Sequence, residues 1–178
     1  MTKDMTTGSP LKNIIRFCLP LMVGNLFQQF YNMADTIIVG QFVGKNALSA
    51  VGSVGPLNFM IIGTVIGLCT GFAIPIAQRF GAQDIQNLKK YVANIIYTSI
   101  VVGVIFTCVA VLFARPLLEV LNIPIELRDE AYSYIVVIFA GIGATMLYNL
   151  LASIVRALGD SKTPLYFLLF SSFLNIGL

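Results

Sequence analysis

The stretch that decides the fold runs from Tyr91 to Phe113 and reads YVANIIYTSIVVGVIFTCVAVLF, without one Asp, Glu, Lys or Arg. A helix needs about 20 apolar residues to cross the roughly 30 Å hydrocarbon core of a bilayer, so this stretch predicts a membrane span. Composition agrees, since 57% of the 178 residues are apolar and only 11% are charged. Soluble domains carry about 25% charged residues. The chain is therefore predicted to be an all-α membrane protein.

Four more apolar runs predict further spans. They cover about 14–42, 51–77, 132–155 and 164–178. Five spans predict a polytopic helical bundle over residues 14–178, preceded by a cytoplasmic tail at 1–13. Pro20 predicts a bend in the first span. Because a carboxylate inside hydrocarbon is costly, a chain that stops at Leu178 within its fifth apolar run is expected to be a fragment, with the remainder of its own chain as a partner.

The basic residues predict the orientation of the bundle. Eight of them lie in the tail and in the second and fourth connections: Lys3, Lys12, Arg16, Arg79, Lys89, Lys90, Arg156 and Lys162. The first and third connections hold three: Lys45, Arg115 and Arg128. Since Lys and Arg concentrate on the cytoplasmic side of membrane proteins, the N-terminus is predicted to be cytoplasmic.

Composition also excludes several functions. The chain has no His and no Trp, which excludes His-based catalysis and imidazole metal sites. Its three cysteines, Cys18, Cys69 and Cys108, lie far apart in apolar runs and are interpreted as small buried hydrophobes. A net charge of +3 is too small to indicate nucleic acid as a partner.

One face of the first span is polar. Asp35 is the only acid inside any predicted span, where a charge costs about 3 kcal/mol. Gln28, Asn32 and Asp35 fall within about 60° of one another on a helix, and Asn25 widens the arc to about 80°. Asp35 is interpreted as an ion site, or as a solvated interfacial acid if the span ends near Thr36. Asn25 and Gln28, taken singly, could instead hold helices together, at about 0.6 kcal/mol for each hydrogen bond.

The later spans carry polar groups that could join this face. Thr145, Asn149, Ser153 and Arg156 fall within about 80° on the fourth span, and the fifth carries Asn175. Amide and hydroxyl oxygens around one acid suit a hard cation such as Na⁺, and an acid screened from water can instead carry a proton. No other metal site and no cofactor is predicted.

Glycines carry two further predictions. Gly63, Gly67 and Gly71 recur every four residues in the second span and predict the close approach of another helix. Gly159 predicts the end of the helix in the fourth span, and Ser161 or Thr163 is expected to cap the next helix.

The sequence resembles the multidrug and toxic compound extrusion (MATE) family, most closely its prokaryotic branches. The resemblance covers essentially the whole chain and rests on four stretches: NMADTIIVG at 32–40, ALSAVG at 47–52, RALGDSKTP at 156–164 and FLNI at 173–176. It implies a twelve-helix protein of two six-helix lobes, of which this chain would supply the first five helices of the N-terminal lobe. It also implies export of cationic or amphipathic drugs and metabolites in exchange for Na⁺ or H⁺ across the cytoplasmic membrane of a prokaryote.

The resemblance implies roles for particular residues. Asp35, Gln28, Asn149 and Asn175 would form the ion-coupling site, and Pro20 would bend the first helix. Five residues are expected to line the substrate pathway: Asn25, Tyr31, Asn32, Thr145 and Ser153.

Three alternatives stay open at this point. The first is a lipid-linked oligosaccharide flippase of the same superfamily, which would show several basic residues inside its spans. The second is an integral-membrane lipid-modifying enzyme, which would need clustered acids or a catalytic His. The third is a helix-packing module without transport activity of its own.

Overall fold

The computed structural model describes residues 8–38, 40–41 and 45–177, without the side chains of Asp35, residues 45–47 and residues 175–177. Within these residues the chain forms six α-helices and no strand: α1 (Pro10–Ile38), α2 (Lys45–Gly81), α3 (Ile85–Val120), α4 (Ile125–Ala140), α5 (Ile142–Ala157) and α6 (Lys162–Gly177). Apolar runs form helices because a backbone in hydrocarbon must satisfy its N–H and C=O groups internally. The predicted all-α bundle is confirmed.

Three connections between helices turn through a residue in the left-handed region. Gln83 follows α2 with φ 58°, Asn122 follows α3 with φ 52°, and Gly159 follows α5 with φ 83°. At each turn the next residue donates its N–H to a carbonyl five positions back: Asp84 to Arg79, Ile123 to Leu118 and Asp160 to Val155. This pattern satisfies carbonyls that a helix end leaves unpaired. Gly159 thus ends α5 as the sequence predicts.

The cap of α6 differs from the prediction. The carboxylate of Asp160, rather than Ser161 or the Thr163 hydroxyl, accepts the N–H groups of Lys162 at 3.0 Å and Thr163 at 3.1 Å. The Thr163 hydroxyl also donates to Asp160, at 2.8 Å. A carboxylate is favoured at this position because its two oxygens can accept hydrogen bonds from all three donors, whereas the oxygen of one hydroxyl cannot.

Gly159→Ala is expected to lower the free energy of unfolding by about 1–2 kcal/mol, because a Cβ is strained in the left-handed region. The check is the thermal midpoint in mild detergent. Gly81→Ala is the control, since Gly81 is exposed, ends α2 and has no positive φ. An equal loss in both variants would contradict this account of the turn.

The predicted fourth span, 132–155, is two helices. The axes of α4 and α5 differ by 43°, and Gly141 lies at the break. The N–H of Gly141 donates to the carbonyls of Val137 at 3.1 Å and Ile138 at 3.0 Å. Each glycine costs a helix about 1 kcal/mol relative to alanine, so Gly141 and Gly143 together weaken this point enough for a bend.

Two groups of helices make up the bundle. α2, α3, α4 and α5 pack around one core, whose fully buried members include Val54, Cys69, Ile135, Phe139 and Met146. α1 packs mainly on α6, and a Cβ built on Gly24 would lie 3.4 Å from Leu165 and 3.6 Å from Leu168. The contact of α6 with α5 joins the two groups. A space therefore remains where α1 and α6 face α2 and α5.

Two helices, Leu48–Gly81 and Ile85–Val120, are long and apolar enough to cross a membrane, and the bent pair α4–α5 counts as a third if it forms one span. This count covers the described residues only. Large apolar side chains are exposed on the outside of α3, among them Val101, Val104 and Leu112, as expected beside lipid tails. Spans at α1 and α6 stay predictions.

Two predictions about small residues were wrong. Gly63, Gly67 and Gly71 are exposed, and no described atom lies within 4 Å of a Cβ built on them, so they do not admit a helix of the described bundle. Cys69 is buried as predicted, but Cys18 and Cys108 are exposed. The four-residue spacing of the glycines and the apolar neighbours of the cysteines both indicate a membrane helix. Neither shows which face of that helix packs against another helix.

Candidate functional site

A cavity of about 520 Å³ lies between α1, α2, α5 and α6. Its volume falls in the usual range for small-molecule sites, about 300–1,000 Å³. The lining residues from α1 and α2 are Pro20, Leu21, Gly24, Asn25, Gln28, Ile62 and Ile66. Those from α5 and α6 are Ala144, Thr145, Tyr148, Asn149, Ala152, Arg156, Pro164, Leu165 and Leu168.

Polar side chains from two helices meet at this cavity. α1 contributes Asn25 and Gln28, one turn apart, and α5 contributes Thr145 and Asn149, also one turn apart. The Asn149 Nδ2 donates to the Thr145 carbonyl at 2.8 Å, so its Oδ1 remains available as an acceptor. Part of each of the two polar stripes predicted on separate spans therefore lines one space.

Other predicted site residues lie outside this lining. Asn32 is exposed, and its Nδ2 donates to Gln29 Oε1 at 3.3 Å. Tyr31 is half-buried. Ser153 is buried and does not line the cavity.

Two predicted ion-site residues cannot be placed in the same way. The side chains of Asp35 and Asn175 lie outside the described residues, although the backbone of both is helical. Pro20 lies inside α1 and in the cavity wall. Because proline has no N–H, the helical hydrogen bond to the carbonyl of Arg16 is missing.

Arg156 belongs to the polar stripe predicted on the fourth span, but the sequence argument assigned it no role in the site. It lines the cavity from the last turn of α5, is half-buried, and donates from a terminal guanidinium nitrogen to Ser153 Oγ at 2.9 Å. In the sequence Arg156 is both a basic residue of a connection and the last member of the stripe that begins at Thr145. Its place in that stripe is the signal that points to the cavity.

The described side chains include no group of three His, Cys, Asp or Glu residues that could hold a metal ion. The described lining contains no Asp or Glu, so its side-chain oxygens are neutral: amides from Asn25, Gln28 and Asn149, and the hydroxyls of Thr145 and Tyr148. Such oxygens suit a weakly held hard cation and need an acid to balance its charge.

Apolar helices around a cavity with polar side chains in its wall define a polytopic helical membrane protein. The MatE family model matches residues 20–178. The chain belongs to this family, the multidrug and toxic compound extrusion transporters, as the sequence motifs indicated.

Named relatives support the same assignment. The probable multidrug resistance protein YoeA of Bacillus subtilis (strain 168) is 29% identical over 178 residues, covering 100% of this chain and 38% of the relative. A solved MOP superfamily transporter from Pyrococcus furiosus superposes with a TM-score of 0.88 at 31% identity, covering 96% of this chain and 38% of that one. An outward-facing multidrug resistance MATE transporter gives a TM-score of 0.87 at 30% identity, covering 100% and 40%.

The two solved relatives are transporters rather than enzymes, and with the family match this confirms the prediction that the chain is not an enzyme. The chain spans 38% of the length of YoeA and of the Pyrococcus furiosus transporter.

Proposed function

We propose that the intact protein is a secondary active antiporter in the cytoplasmic membrane of a prokaryote, with its N-terminus in the cytoplasm. It exports cationic or amphipathic compounds in exchange for Na⁺ or H⁺. The observation that carries the proposal is the cavity between α1, α2, α5 and α6, where Asn25, Gln28, Thr145 and Asn149 face one space inside an apolar bundle.

The coupling ion acts at Asp35 in this proposal. Asp35 follows Gln28 by seven residues on α1, about 10 Å along the axis, and falls within about 20° of it around the helix. Gln28, Asn149 and Asn175 add amide oxygens for Na⁺. Alternatively, a proton neutralises Asp35 directly. Either event removes a negative charge from a region of low dielectric, where charges interact strongly.

The exchange follows from competition for that charge. Ionised Asp35 attracts a cationic group of the cargo, and Na⁺ or H⁺ cancels the attraction. Ion and cargo must also prefer opposite states of the transporter, because a ligand shifts a conformational equilibrium only by its difference in affinity. Pro20 supplies a point in the cavity wall where α1 can bend, since one helical hydrogen bond is missing there.

Two alternatives are weaker on the described residues. A flippase of lipid-linked oligosaccharides would use several basic side chains in its cavity, and the described lining contains one, Arg156. A lipid-modifying enzyme finds no support among transporter relatives.

Ion-driven efflux is the test. The intact protein in liposomes is expected to move a cationic dye faster when an opposing Na⁺ or pH gradient is imposed than when none is. Gradients imposed one at a time identify the ion. A dye flux that neither gradient changes would contradict antiport.

A further inference from the structure

The described lining of the cavity contains one cation, Arg156, and no Asp or Glu. Among the described residues, the Arg156 guanidinium donates one hydrogen bond, to Ser153 Oγ at 2.9 Å, and forms no salt bridge with Asp or Glu. A guanidinium presents five N–H donors and stays charged at any ordinary pH. Burying such a charge is costly unless it is paired. A half-buried, mostly unused guanidinium in a cavity wall is therefore suited to receive an anion.

The acid that follows Arg156 along the chain is engaged elsewhere. Asp160 lies four residues later, and its carboxylate accepts the N–H groups of Lys162 and Thr163 and the Thr163 hydroxyl. These bonds hold the first turn of α6. Asp160 thus stabilises the start of α6 and forms no salt bridge with Arg156, whose side chain lines the cavity.

Geometry directs the guanidinium toward the cavity. Side chains on a helix lean toward its N-terminus, so Arg156, on the last turn of α5, leans back toward Ser153 and Asn149. Ser153 is only 3% exposed, which fixes the hydrogen bond that orients the side chain. Leu165 and Leu168 of α6 form an apolar wall of the same cavity.

We infer that Arg156 anchors an oxyanion subsite, at which a carboxylate or phosphate group of an amphipathic molecule docks while its apolar body lies along Leu165 and Leu168. Both oxyanions match the planar fork of a guanidinium. The inference rests on the proposed function only in taking this cavity as the substrate chamber. The molecule is either an exported compound or an acidic phospholipid of the bilayer.

Binding of three matched probes tests the subsite. The intact protein in phosphatidylcholine nanodiscs is titrated with 1-naphthylacetate, 2-(1-naphthyl)ethanol and 2-(1-naphthyl)ethylamine, which share one apolar body. Wild type is expected to bind the acetate roughly tenfold more tightly than the alcohol, as for a charged hydrogen bond. Arg156→Gln should reduce the ratio to about one, and Arg156→Lys should give an intermediate ratio because it keeps the charge without the fork.

A matched control and a lipid comparison complete the design. Lys162 is exposed at the same end of the bundle and outside the cavity, so Lys162→Gln should leave the ratio unchanged. Phosphatidylglycerol in the nanodiscs should weaken acetate binding through Arg156 if the lipid is the natural occupant, and should not if an exported compound is. Either result supports the subsite.

Two outcomes would overturn the inference: wild type without a preference for the acetate, or a preference that Arg156→Gln retains. The binding assay needs no ion gradient. A protein that prefers the acetate through Arg156 but shows no ion-driven efflux would therefore overturn antiport and leave the subsite standing.

Discussion

Asp35→Asn is expected to abolish ion-driven efflux while leaving the fold intact. Asparagine keeps the size and hydrogen-bonding capacity of the side chain but cannot be neutralised by Na⁺ or H⁺. Coupling free energies of 1–3 kcal/mol correspond to roughly 5- to 150-fold effects. In the variant, the ratio of the efflux rate with a gradient to the rate without one should fall to about one. Dye efflux from liposomes, measured with and without the gradient, gives this ratio.

Glu130→Gln is the matched control for charge. Glu130 is exposed on α4, so its loss also removes one negative charge from the protein, but away from the cavity. This variant should keep the full gradient effect. If Asp35→Asn kept it as well, Asp35 would not be the coupling acid and the proposed exchange would be wrong.

Ala144→Trp is expected to weaken cargo binding by about tenfold or more, which corresponds to about 1.4 kcal/mol or more. Ala144 lines the cavity next to Thr145 and is exposed to that space. An indole there occupies volume that the cargo would use, because a buried tryptophan covers about 150–250 Å². Dye binding to the purified protein measures the loss.

The control for added bulk is Ala93→Trp, at an exposed position on α3 outside the cavity lining. Both variants should keep the thermal midpoint of wild type. If Ala144→Trp bound dye as well as Ala93→Trp does, cargo would bind somewhere other than this cavity.

Part of the cavity lining follows from helical periodicity. Asn25 and Gln28 on one helix, and Thr145 and Asn149 on another, recur at three- or four-residue spacing, and both pairs line the cavity. Periodicity brings these four residues to protein-facing positions because a polar face in an apolar helix must meet protein or water rather than lipid. The register of each helix fixes that face before any tertiary contact is known.

Other features depend on contacts that one sequence does not display. The helix bends at Gly141, within an apolar run that is continuous in the sequence. The sequence does not show at which glycine packing bends the helix. Gly67 is exposed although its spacing suggested contact. Arg156 lies at the boundary of a predicted span and also lines the cavity. The second role depends on the path of α6 beside α5, which the sequence does not display.

Competition between ion and cargo at equilibrium tests the central claim most directly. Dye binding to the intact protein in nanodiscs should weaken as Na⁺ is added or as the pH is lowered, and Asp35→Asn should bind dye with an affinity that neither change affects. Two results would contradict this claim: a wild-type affinity for dye that neither Na⁺ nor pH changes, or an affinity that responds to them equally in Asp35→Asn. Either would show that the cavity does not exchange cargo for a cation at this acid.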